Sequence, residues 1–192
     1  MHQPPGRVLI ERERIAMRVA ELGAQLAGDL QRDLEAEGDG LATPNRVVLV
    51  PVLTGAVIFL ADLVRQMPLN MSMRMISVSS YPGATTESKG ARLQDALPPD
   101  LAGKHVVIVD DILDTGQTLN LLQRMIAEQK PASLRTCVLL RKDCTRLAPA
   151  DAEYIGFDIP PEFVIGYGLD YDGQHRNLPD ICVLDPAGAE PG

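Results

Sequence analysis

The sequence predicts an α/β fold: a mostly parallel sheet flanked by helices, with a small β-rich lobe at the C-terminal end. Short valine-rich apolar runs, typical of strands buried on both faces, recur over about the first 140 residues. Segments with helical spacing separate these runs, and such alternation is typical of parallel sheets. After residue 141 the apolar segments become shorter, and proline, glycine and aspartate divide them.

The first half of the chain is predicted to hold two helices and two strands. Apolar residues recur every three or four positions from Glu11 to about Glu37, which predicts an amphipathic helix. The continuous apolar run at 46–53 predicts a buried strand, 56–67 a second helix and 71–80 a second strand. The polar stretch 81–100 has three prolines and two glycines and no clear period, which is typical of a functional or disordered loop.

The second half begins with a strand at 105–109, a helix from about Gly116 to Gln129 and a fourth core strand at 134–140. The segments YIGFDI, FVIGYG and ICVLD then predict the β-rich lobe. We expect one domain over 1–192, with a core at about 10–140 and a lobe at about 141–185 that includes the N-terminal segment. The first ten residues and the tail at 186–192, rich in proline and glycine, are expected to be flexible.

Composition argues against several classes of protein. The net charge of −8 disfavours a large nucleic-acid groove, because such grooves need Lys and Arg to neutralise phosphates. No long apolar stretch resembles a signal peptide or a membrane span, so we expect a soluble cytoplasmic protein without a membrane partner. The three cysteines are scattered, which argues against a disulfide framework and against a structural zinc site.

The clearest chemical signal is the stretch HVVIVDDILDTGQTLN at residues 105–120. Asp110 and Asp111 end an apolar strand, and in open parallel sheets ligands bind beyond the carboxyl ends of strands. The segment 114–118 then leads into a helix, whose N–H groups and threonine hydroxyls can hold a phosphate. The two acids can accept hydrogen bonds from sugar hydroxyls, directly or through a divalent cation. The stretch therefore predicts a site for a phosphorylated sugar.

Two other interpretations of this stretch remain open. Paired acids at a strand end also hold magnesium in receiver domains, although such a domain needs a phosphoacceptor aspartate at a different strand end. The segment at 115–118 is also compatible with an ordinary helix start in which Thr115 is the N-cap.

Two longer stretches resemble one enzyme family. VVIVDDILDTGQTL resembles the signature of the phosphoribosyltransferases that use phosphoribosyl pyrophosphate (PRPP). YIGFDIPPEFVIGYGLDYDGQHRNLPDICVL is similar to the C-terminal lobe of the hypoxanthine-guanine phosphoribosyltransferases, and the resemblance covers about residues 45–185 in the same order. It implies a phosphoribosyltransferase core with a C-terminal hood lobe. It also implies Mg²⁺-dependent transfer of 5-phosphoribosyl from PRPP to N9 of hypoxanthine or guanine, which gives IMP or GMP and pyrophosphate.

The resemblance also implies a role for each matching residue. Asp114 matches the general acid/base near purine N7. The residues that match the ribose and 5′-phosphate site are Asp110, Asp111, Thr115, Gly116, Gln117 and Thr118. Those that match the pyrophosphate site are Leu53, Thr54, Gly55 and Arg176, with a cis peptide expected at Leu53–Thr54.

Other matching residues concern the base, the metal and a lid. Lys142 matches the lysine at the purine 6-oxo oxygen, Phe163 the stacking aromatic and Val164 the backbone that contacts the purine edge. Asp170, which also belongs to the expected purine-binding set, matches a magnesium-binding carboxylate, to which Asp110 and Asp111 add candidate ligands. Ser80 and Tyr81 match the start of a flexible lid that excludes water on closing.

Three positions depart from the family pattern. Relatives often carry glutamate at the position of Asp110. The aspartate of this chain is shorter, so one arm of the ribose contact is shortened. Thr54 and Gln117 stand where relatives often carry basic residues, so positive charge is missing at both ends of PRPP. The sequence therefore predicts a modest affinity for PRPP, unless lid lysines or a partner subunit's arginines compensate.

The sequence leaves three alternatives to this enzyme open. One is a transferase that prefers xanthine or accepts purines broadly. Another is a non-catalytic regulator that senses PRPP or nucleotides and binds RNA or DNA, although the charge and the complete set of matching residues argue against it. The third and weakest is the receiver-like domain, which has no use for the FVIGYGLDY run. The family also suggests a homodimer or homotetramer.

Overall fold

The computed structural model describes residues 6–79, 92–93 and 97–184. Its helices are α1 (Arg12–Ala36), α2 (Val57–Val64) and α3 (Gln117–Ala127). Its strands are β1 (Gly6–Ile10), β2 (Val47–Leu53), β3 (Ser72–Met73), β4 (Ile76–Ser79), β5 (Arg92–Leu93), β6 (His105–Leu113), β7 (Ser133–Lys142), β8 (Tyr154–Ile159), β9 (Val164–Ile165) and β10 (Ile181–Leu184).

A seven-stranded main sheet forms the core, as the sequence predicts. Its strand order is β5-β4-β2-β6-β7-β8, and β3 also pairs with β2. The pairings of β2, β6, β7 and β8 are parallel, and only β5 at the edge is antiparallel. The two central strands are apolar on both faces because helices cover both sides of the sheet.

Successive residues of β6 show how the two layers are filled. Val107 and Val109 pack into the cluster that contains α1 and α2. Val106 and Ile108 face the opposite cluster, which contains α3. All four side chains are fully buried. A run of valine and isoleucine is therefore what a strand between two helical layers requires.

Helix α1 covers much of one face of the sheet. Its buried side chains follow the predicted helical spacing: Ile15, Val19, Leu22, Leu26, Leu30 and Leu34. The prediction of an amphipathic helix is thus confirmed to within a residue at each end. None of the helices in the described ranges is long and apolar enough to cross a membrane.

A second, antiparallel sheet forms the hood, in the order β1-β10-β9. It joins the two ends of the described chain, because Gly6 pairs with Leu184 and Val8 with Cys182. Residues 6–10 therefore form a strand, and the expectation that the first ten residues are flexible is wrong for this part. Residues 185–192, predicted to end the lobe and form a tail, lie outside the described residues.

The predicted boundary between core and lobe also needs correction. Strand β8, the YIGFDI segment, pairs in parallel with β7 from Cys137↔Tyr154 to Lys142↔Ile159. It is thus the last strand of the main sheet, and the hood begins after Ile159 rather than near residue 141. The apolar pattern gives the strand but not its partner, because pairing depends on residues far away in the chain.

Three smaller predictions differ from the structure. The strand expected at 71–80 is interrupted, and β3 and β4 pair separately with β2 on either side of the exposed Arg74. Strand β5 lies inside the stretch 81–100 that was expected to be a loop. Helix α2 ends at Val64 and not at Met67.

Candidate active site

The site forms where β6 extends beyond its neighbour β2. Pairing of β6 with β2 stops at Pro51↔Val109, whereas pairing with β7 continues to Leu113↔Arg141. Asp110 and Asp111 therefore lie within a strand, and the expectation that the strand ends at Val109 is wrong. Because the β2 side of this extension is unpaired, the two acids border an open space at the carboxyl edge of the sheet.

That space is a cleft of about 740 Å³. It brings together twelve of the residues predicted for the site, which come from four separate segments: Leu53, Thr54, Gly55, Asp110, Asp111, Asp114, Thr115, Gly116, Gln117, Thr118, Asp170 and Arg176. Its other lining residues are Val52, Ser77, Val78, Ile112, Leu113 and Leu119.

The two adjacent acids lie deep in the cleft. Asp110 is only 5% exposed, and its Oδ1 accepts a hydrogen bond from the Asp111 backbone N–H at 3.0 Å. Burial raises the pKa of Asp110 well above the usual range, and the neighbouring Asp111 raises it further. Burial also raises the pKa of Asp111, while the Arg176 charge opposes this rise. Burial is thus the main cause of both rises, and the two carboxylates also interact directly.

Gly55 makes room for one of these acids. A Cβ atom at position 55 would collide with the carboxylate of Asp111, so only glycine fits beside that side chain. The preceding peptide bond, Leu53–Thr54, is cis, as the family resemblance implies. The turn after β2 therefore lies directly against the carboxylate pair.

The segment before α3 has the form expected of an anion site. Gly116 is the N-cap residue, with φ = 82°, and no side chain in the described part of the chain caps the helix. The interpretation of Thr115 as the N-cap is therefore wrong. The Thr115 carbonyl accepts hydrogen bonds from the N–H groups of Leu147 at 2.9 Å and Ala148 at 3.3 Å. The first turn of α3 leaves N–H groups directed at the cleft, where they can bind phosphate.

Asp114 stands at the cleft between two donors. Lys142 Nζ donates to Asp114 Oδ2 at 3.0 Å, and Cys144 Sγ lies 3.3 Å from Oδ1. Arg146 donates from Nη1 to the backbone carbonyls of Asp114 and, at 3.2 Å, of Leu113. A carboxylate, a lysine and a thiol thus meet where β6 and β7 end.

Asp170 and Arg176 form an ion pair on the hood side of the cleft. Arg176 Nη2 lies 2.7 Å from Asp170 Oδ1, and Nη1 donates to the Gly168 carbonyl at 2.6 Å. The other carboxylate oxygen of Asp170 accepts from the Gly173 N–H at 2.8 Å. Both side chains are about one third exposed, so the pair is accessible from the cleft.

Of the residues predicted for the purine, Asp170 lines the cleft, whereas Lys142, Phe163 and Val164 are not among its lining residues. Phe163 is 51% exposed, and its ring meets Tyr171 edge-on with a centroid distance of 5.7 Å. Val164 is buried in β9. The predicted lid residues, Ser80 and Tyr81, lie outside the described residues.

The carboxylates at the cleft suit magnesium by their chemistry. Within the described residues no group of three or more His, Cys, Asp or Glu is arranged to hold a metal ion. Mg²⁺ is usually bound by one or two carboxylates together with substrate phosphates and water, so a complete protein cage is not required. Asp170, Asp110 and Asp111 provide the hard oxygen donors that this mode of binding needs.

Sequence reasoning missed Cys144 and Arg146 as neighbours of Asp114. They lie about thirty residues further along the chain and reach it because β6 and β7 are adjacent. It also missed Gly168, where a Cβ atom would collide with the Gly55 carbonyl. That contact joins the hood to the turn after β2. The sequence indicated a role for Gly168 only through its place in the FVIGYGLDY run.

Comparisons with known proteins agree with this geometry. Residues 15–172 match the family model of the phosphoribosyl transferase domain. The chain is 46% identical over 179 residues to a hypoxanthine-guanine phosphoribosyltransferase of Mycobacterium avium, which covers 93% of this chain and 85% of the relative. It is 42% identical over 171 residues to a hypoxanthine phosphoribosyltransferase of Haemophilus influenzae, covering 89% and 90% of the two chains.

A solved structure is similar over almost the whole chain. It is the hypoxanthine phosphoribosyltransferase of Trypanosoma cruzi in complex with its product IMP, with a TM-score of 0.84 and 39% identity. The match covers 97% of this chain and 98% of that one. With both a family model and close relatives matched over nearly its full length, the chain belongs to the hypoxanthine-guanine phosphoribosyltransferases of the phosphoribosyl transferase domain family.

Proposed function

We propose that this protein is a purine-salvage enzyme that transfers the 5-phosphoribosyl group of PRPP to N9 of hypoxanthine, giving IMP and pyrophosphate. The observation that carries the proposal is the pairing of Asp114 with Lys142, 3.0 Å apart, beside a cleft that also holds the buried Asp110, the adjacent Asp111 and the start of α3. The relatives named for this activity, and the relative solved with IMP, support it. Guanine is the second expected base.

The cleft has a suitable partner for each part of PRPP. The 5′-phosphate is placed on the first turn of α3, where Thr115 to Thr118 provide N–H and hydroxyl donors. The ribose hydroxyls are placed on Asp110 and Asp111. The pyrophosphate is placed near Arg176 and the backbone of the turn after β2, which Leu53, Thr54 and Gly55 form.

The base is placed between Asp114 and the hood. Lys142 donates to the 6-oxo oxygen, the half-exposed Phe163 ring stacks on the purine, and the Val164 backbone contacts its edge. In the reaction the bond from C1′ to N9 forms and the bond from C1′ to the pyrophosphate oxygen breaks. Asp114 accepts the proton that the purine loses at N7. The protein supplies no nucleophile, so its work is positioning and charge stabilisation.

Magnesium is proposed as the metal, held by Asp170 with the pyrophosphate and by Asp110 and Asp111 near the ribose. When bound, it neutralises the negative charge of PRPP and of the leaving pyrophosphate. Four aspartates line the described cleft, so the substrate needs such a counter-charge to enter. Asp170 is half of an accessible ion pair, which allows it to exchange Arg176 for the metal.

The test is a spectrophotometric assay with PRPP, Mg²⁺ and each of hypoxanthine, guanine, xanthine and adenine. We expect turnover of hypoxanthine and guanine that a chelator abolishes. Asp114→Asn should lower kcat by about 10²–10⁴, the usual contribution of a positioned acid/base. The matched control is Asp100→Asn, which removes an exposed carboxylate that precedes β6 and pairs with Lys104.

Other outcomes of this assay would change the assignment. Preferred turnover of xanthine would retain the reaction class and replace the base. Absence of turnover with every base, from a folded protein that binds PRPP, would contradict the enzyme and favour a regulator that senses PRPP. Equal loss of activity in Asp100→Asn and Asp114→Asn would remove the specific role of Asp114.

We also propose a homodimer or homotetramer in the cytoplasm. Apolar side chains at the β3–β4 edge and at the start of α2 are 41–54% exposed, namely Val57, Met73 and Met75, and a partner subunit can cover them. The cysteines in the described ranges are all free, as is usual in a reducing compartment. Light scattering after gel filtration measures the mass, and a monomer at micromolar concentration would contradict the assembly.

A further inference from the structure

The carboxylate of Asp114 receives one side-chain donor on each oxygen. Lys142 Nζ donates to Oδ2 at 3.0 Å. Cys144 Sγ lies 3.3 Å from Oδ1 and 3.5 Å from the Asp114 backbone carbonyl oxygen, so Oδ1 is the nearer acceptor for its single proton. Within the described part of the chain, these are the two side chains whose hydrogen bonds to this carboxylate are identified.

Purine binding changes the role of one of these donors under the proposed function. Lys142 then also serves the 6-oxo oxygen of the base, and its ammonium group divides its three N–H donors between the purine and Asp114. The bond from Lys142 to Oδ2 is thus shared with the substrate, whereas the thiol of Cys144 stays at Oδ1. Under the proposed function Oδ2 is therefore the oxygen on the purine side, and Oδ1 is the oxygen held by the protein.

We propose that Cys144 is a positioning residue: its thiol fixes Oδ1 of Asp114, so that Oδ2 is presented to the proton at purine N7. This inference rests on the proposed function and adds to it a residue and an assignment of the two carboxylate oxygens. Cys144 itself touches neither the purine nor PRPP in this assignment.

The segment that carries Cys144 is firmly attached to the site. Arg146 donates from Nη1 to the backbone carbonyl of Leu113 at 3.2 Å and to that of Asp114 itself. The next two residues, Leu147 and Ala148, donate their N–H groups to the Thr115 carbonyl. Since the same short segment holds the backbone on both sides of the Asp114 side chain, the thiol has a fixed place relative to the carboxylate.

The thiol is also in the protonation state that the role requires. Burial raises the pKa of Cys144, and the hydrogen bond to Asp114 and the negative charge of that carboxylate raise it further. Arg146 and Lys142 oppose this rise with their positive charges. The S–H group therefore stays protonated at neutral pH and is available as a donor, although a thiol donates weakly.

The kinetic test compares Cys144→Ala, Cys144→Ser and a control. Thr145→Ala is the matched control, because Thr145 is the exposed neighbour. We expect Cys144→Ala to lower kcat about threefold to tenfold, the loss from one hydrogen bond of ordinary strength, with an unchanged KM for PRPP. Cys144→Ser, which restores a donor, should recover most of this loss. A normal kcat in Cys144→Ala, or no recovery with serine in a folded protein, would overturn the proposal.

A second measurement does not depend on turnover. Alkylation of Cys144 by iodoacetamide is followed by mass spectrometry at mildly alkaline pH in the wild type, Asp114→Asn and Asp100→Asn. We expect faster alkylation in Asp114→Asn only, because that variant removes the acceptor charge that raises the thiol pKa. The buried Cys137 and Cys182 serve as internal controls for unfolding. Equal rates in all three proteins would show that the thiol does not bind Asp114.

The two measurements separate this inference from the function on which it rests. Turnover by the wild type with a normal kcat in Cys144→Ala overturns the positioning role alone. Absence of turnover with every purine, together with faster alkylation in Asp114→Asn, would show that Cys144 contacts Asp114 in a protein that does not catalyse the proposed reaction. That result would overturn the positioning role and the proposed function together.

Discussion

At the scale of single residues, positive charge is scarce in the cleft. Among the described residues that line it, four are aspartates and one, Arg176, is cationic. Thr54 and Gln117 line the same cleft, at positions where the family resemblance implies basic side chains. PRPP is an anion at both ends, so each missing cation removes an attraction that the backbone N–H groups only partly replace.

Restoring those charges should strengthen PRPP binding. We expect the double variant Thr54→Lys, Gln117→Lys to lower the KM for PRPP about threefold to thirtyfold, on the order of 1 kcal/mol for each partly exposed charge. The KM for hypoxanthine should change little. Thr145→Lys adds the same charge at an exposed neighbouring site and serves as the control. An unchanged KM for PRPP would show that other groups already compensate.

The buried acid Asp110 makes folding stability dependent on pH. Burial and the neighbouring Asp111 raise its pKa in the folded state, so the folded protein binds more protons than the unfolded chain above the normal aspartate range. Protonated Asp110 therefore favours the folded state at low pH. This contribution to the free energy of unfolding is lost as pH rises from the usual aspartate pKa towards the raised pKa. Asp110→Asn removes this loss, because the amide has no charge to bury.

We expect Asp110→Asn to melt higher than the wild type in metal-free buffer, with a difference that grows as pH rises above the usual aspartate range. Calorimetry over a pH series gives this difference, and each kcal/mol corresponds to about 2–4 °C for a chain of this size. The same variant should bind PRPP more weakly. Asp100→Asn, at an exposed carboxylate, should show neither effect. A difference independent of pH would contradict the assigned cause.

At the scale of secondary-structure elements, one arginine is among the side chains that hold α1 to the edge strand β8, together with the Tyr154 hydroxyl, which donates to Asp29 at 2.5 Å. Arg18 donates from Nε to the Gly156 carbonyl at 2.9 Å and from Nη2 to the Ile155 carbonyl at 2.8 Å. Both acceptors lie in β8, the last strand of the sheet. The side chain thus satisfies backbone acceptors that an edge strand otherwise leaves to water.

Removing this arginine should loosen the contact of α1 with β8. We expect Arg18→Met to lower the free energy of unfolding by about 1–3 kcal/mol, because two part-buried carbonyls lose a charged donor. Arg32→Met is the control on the same helix, and its exposed pair with Asp29 should contribute less than about 1 kcal/mol. Urea denaturation gives both values. Equal effects of the two substitutions would mean that the carbonyl contacts add nothing.

Local sequence patterns predicted the elements whose bounds depend on their own residues. The leucine spacing of α1 and the valine run of β2 gave both elements within a residue of their observed bounds. The partner of β8 and the interruption between β3 and β4 depend on which strands become neighbours, and a local pattern does not contain that information. The length of β6 was underestimated for a related reason, since its polar end is held by pairing with β7.

The same distinction holds within the site. The residues from Asp110 to Thr118 were found together because they are contiguous, and their chemistry is readable as one stretch. Cys144 and Arg146 reach Asp114 only through the pairing of β6 with β7, so no spacing rule indicated them. Hood residues such as Phe163 and Arg176 were predicted through the family resemblance, not through any periodicity in the chain.

At the scale of the whole molecule, the hood connects to the core through the N-terminal segment. Strand β1 pairs with β10 and leads directly into α1, which packs on the main sheet. The Arg12 N–H also donates to Asp180 Oδ1 at 2.8 Å, just before β10. The hood carries Phe163 and Arg176, so the position of these side chains depends on residues at the other end of the chain.

Deletion of residues 1–10 should therefore disturb the hood while the core stays folded. Loss of β1 leaves β10 with β9, of two residues, as its partner in the hood sheet. We expect faster amide hydrogen exchange at 181–184 and a KM for hypoxanthine raised about tenfold or more, the effect of misplacing a stacking ring. Exchange at 106–109 in β6 should stay slow. Arg7→Gln, which breaks only the exposed ion pair with Glu162, is the control. Unchanged exchange at 181–184 would show that β9 alone holds the hood strand, and the N-terminal segment would then have no role in placing the base.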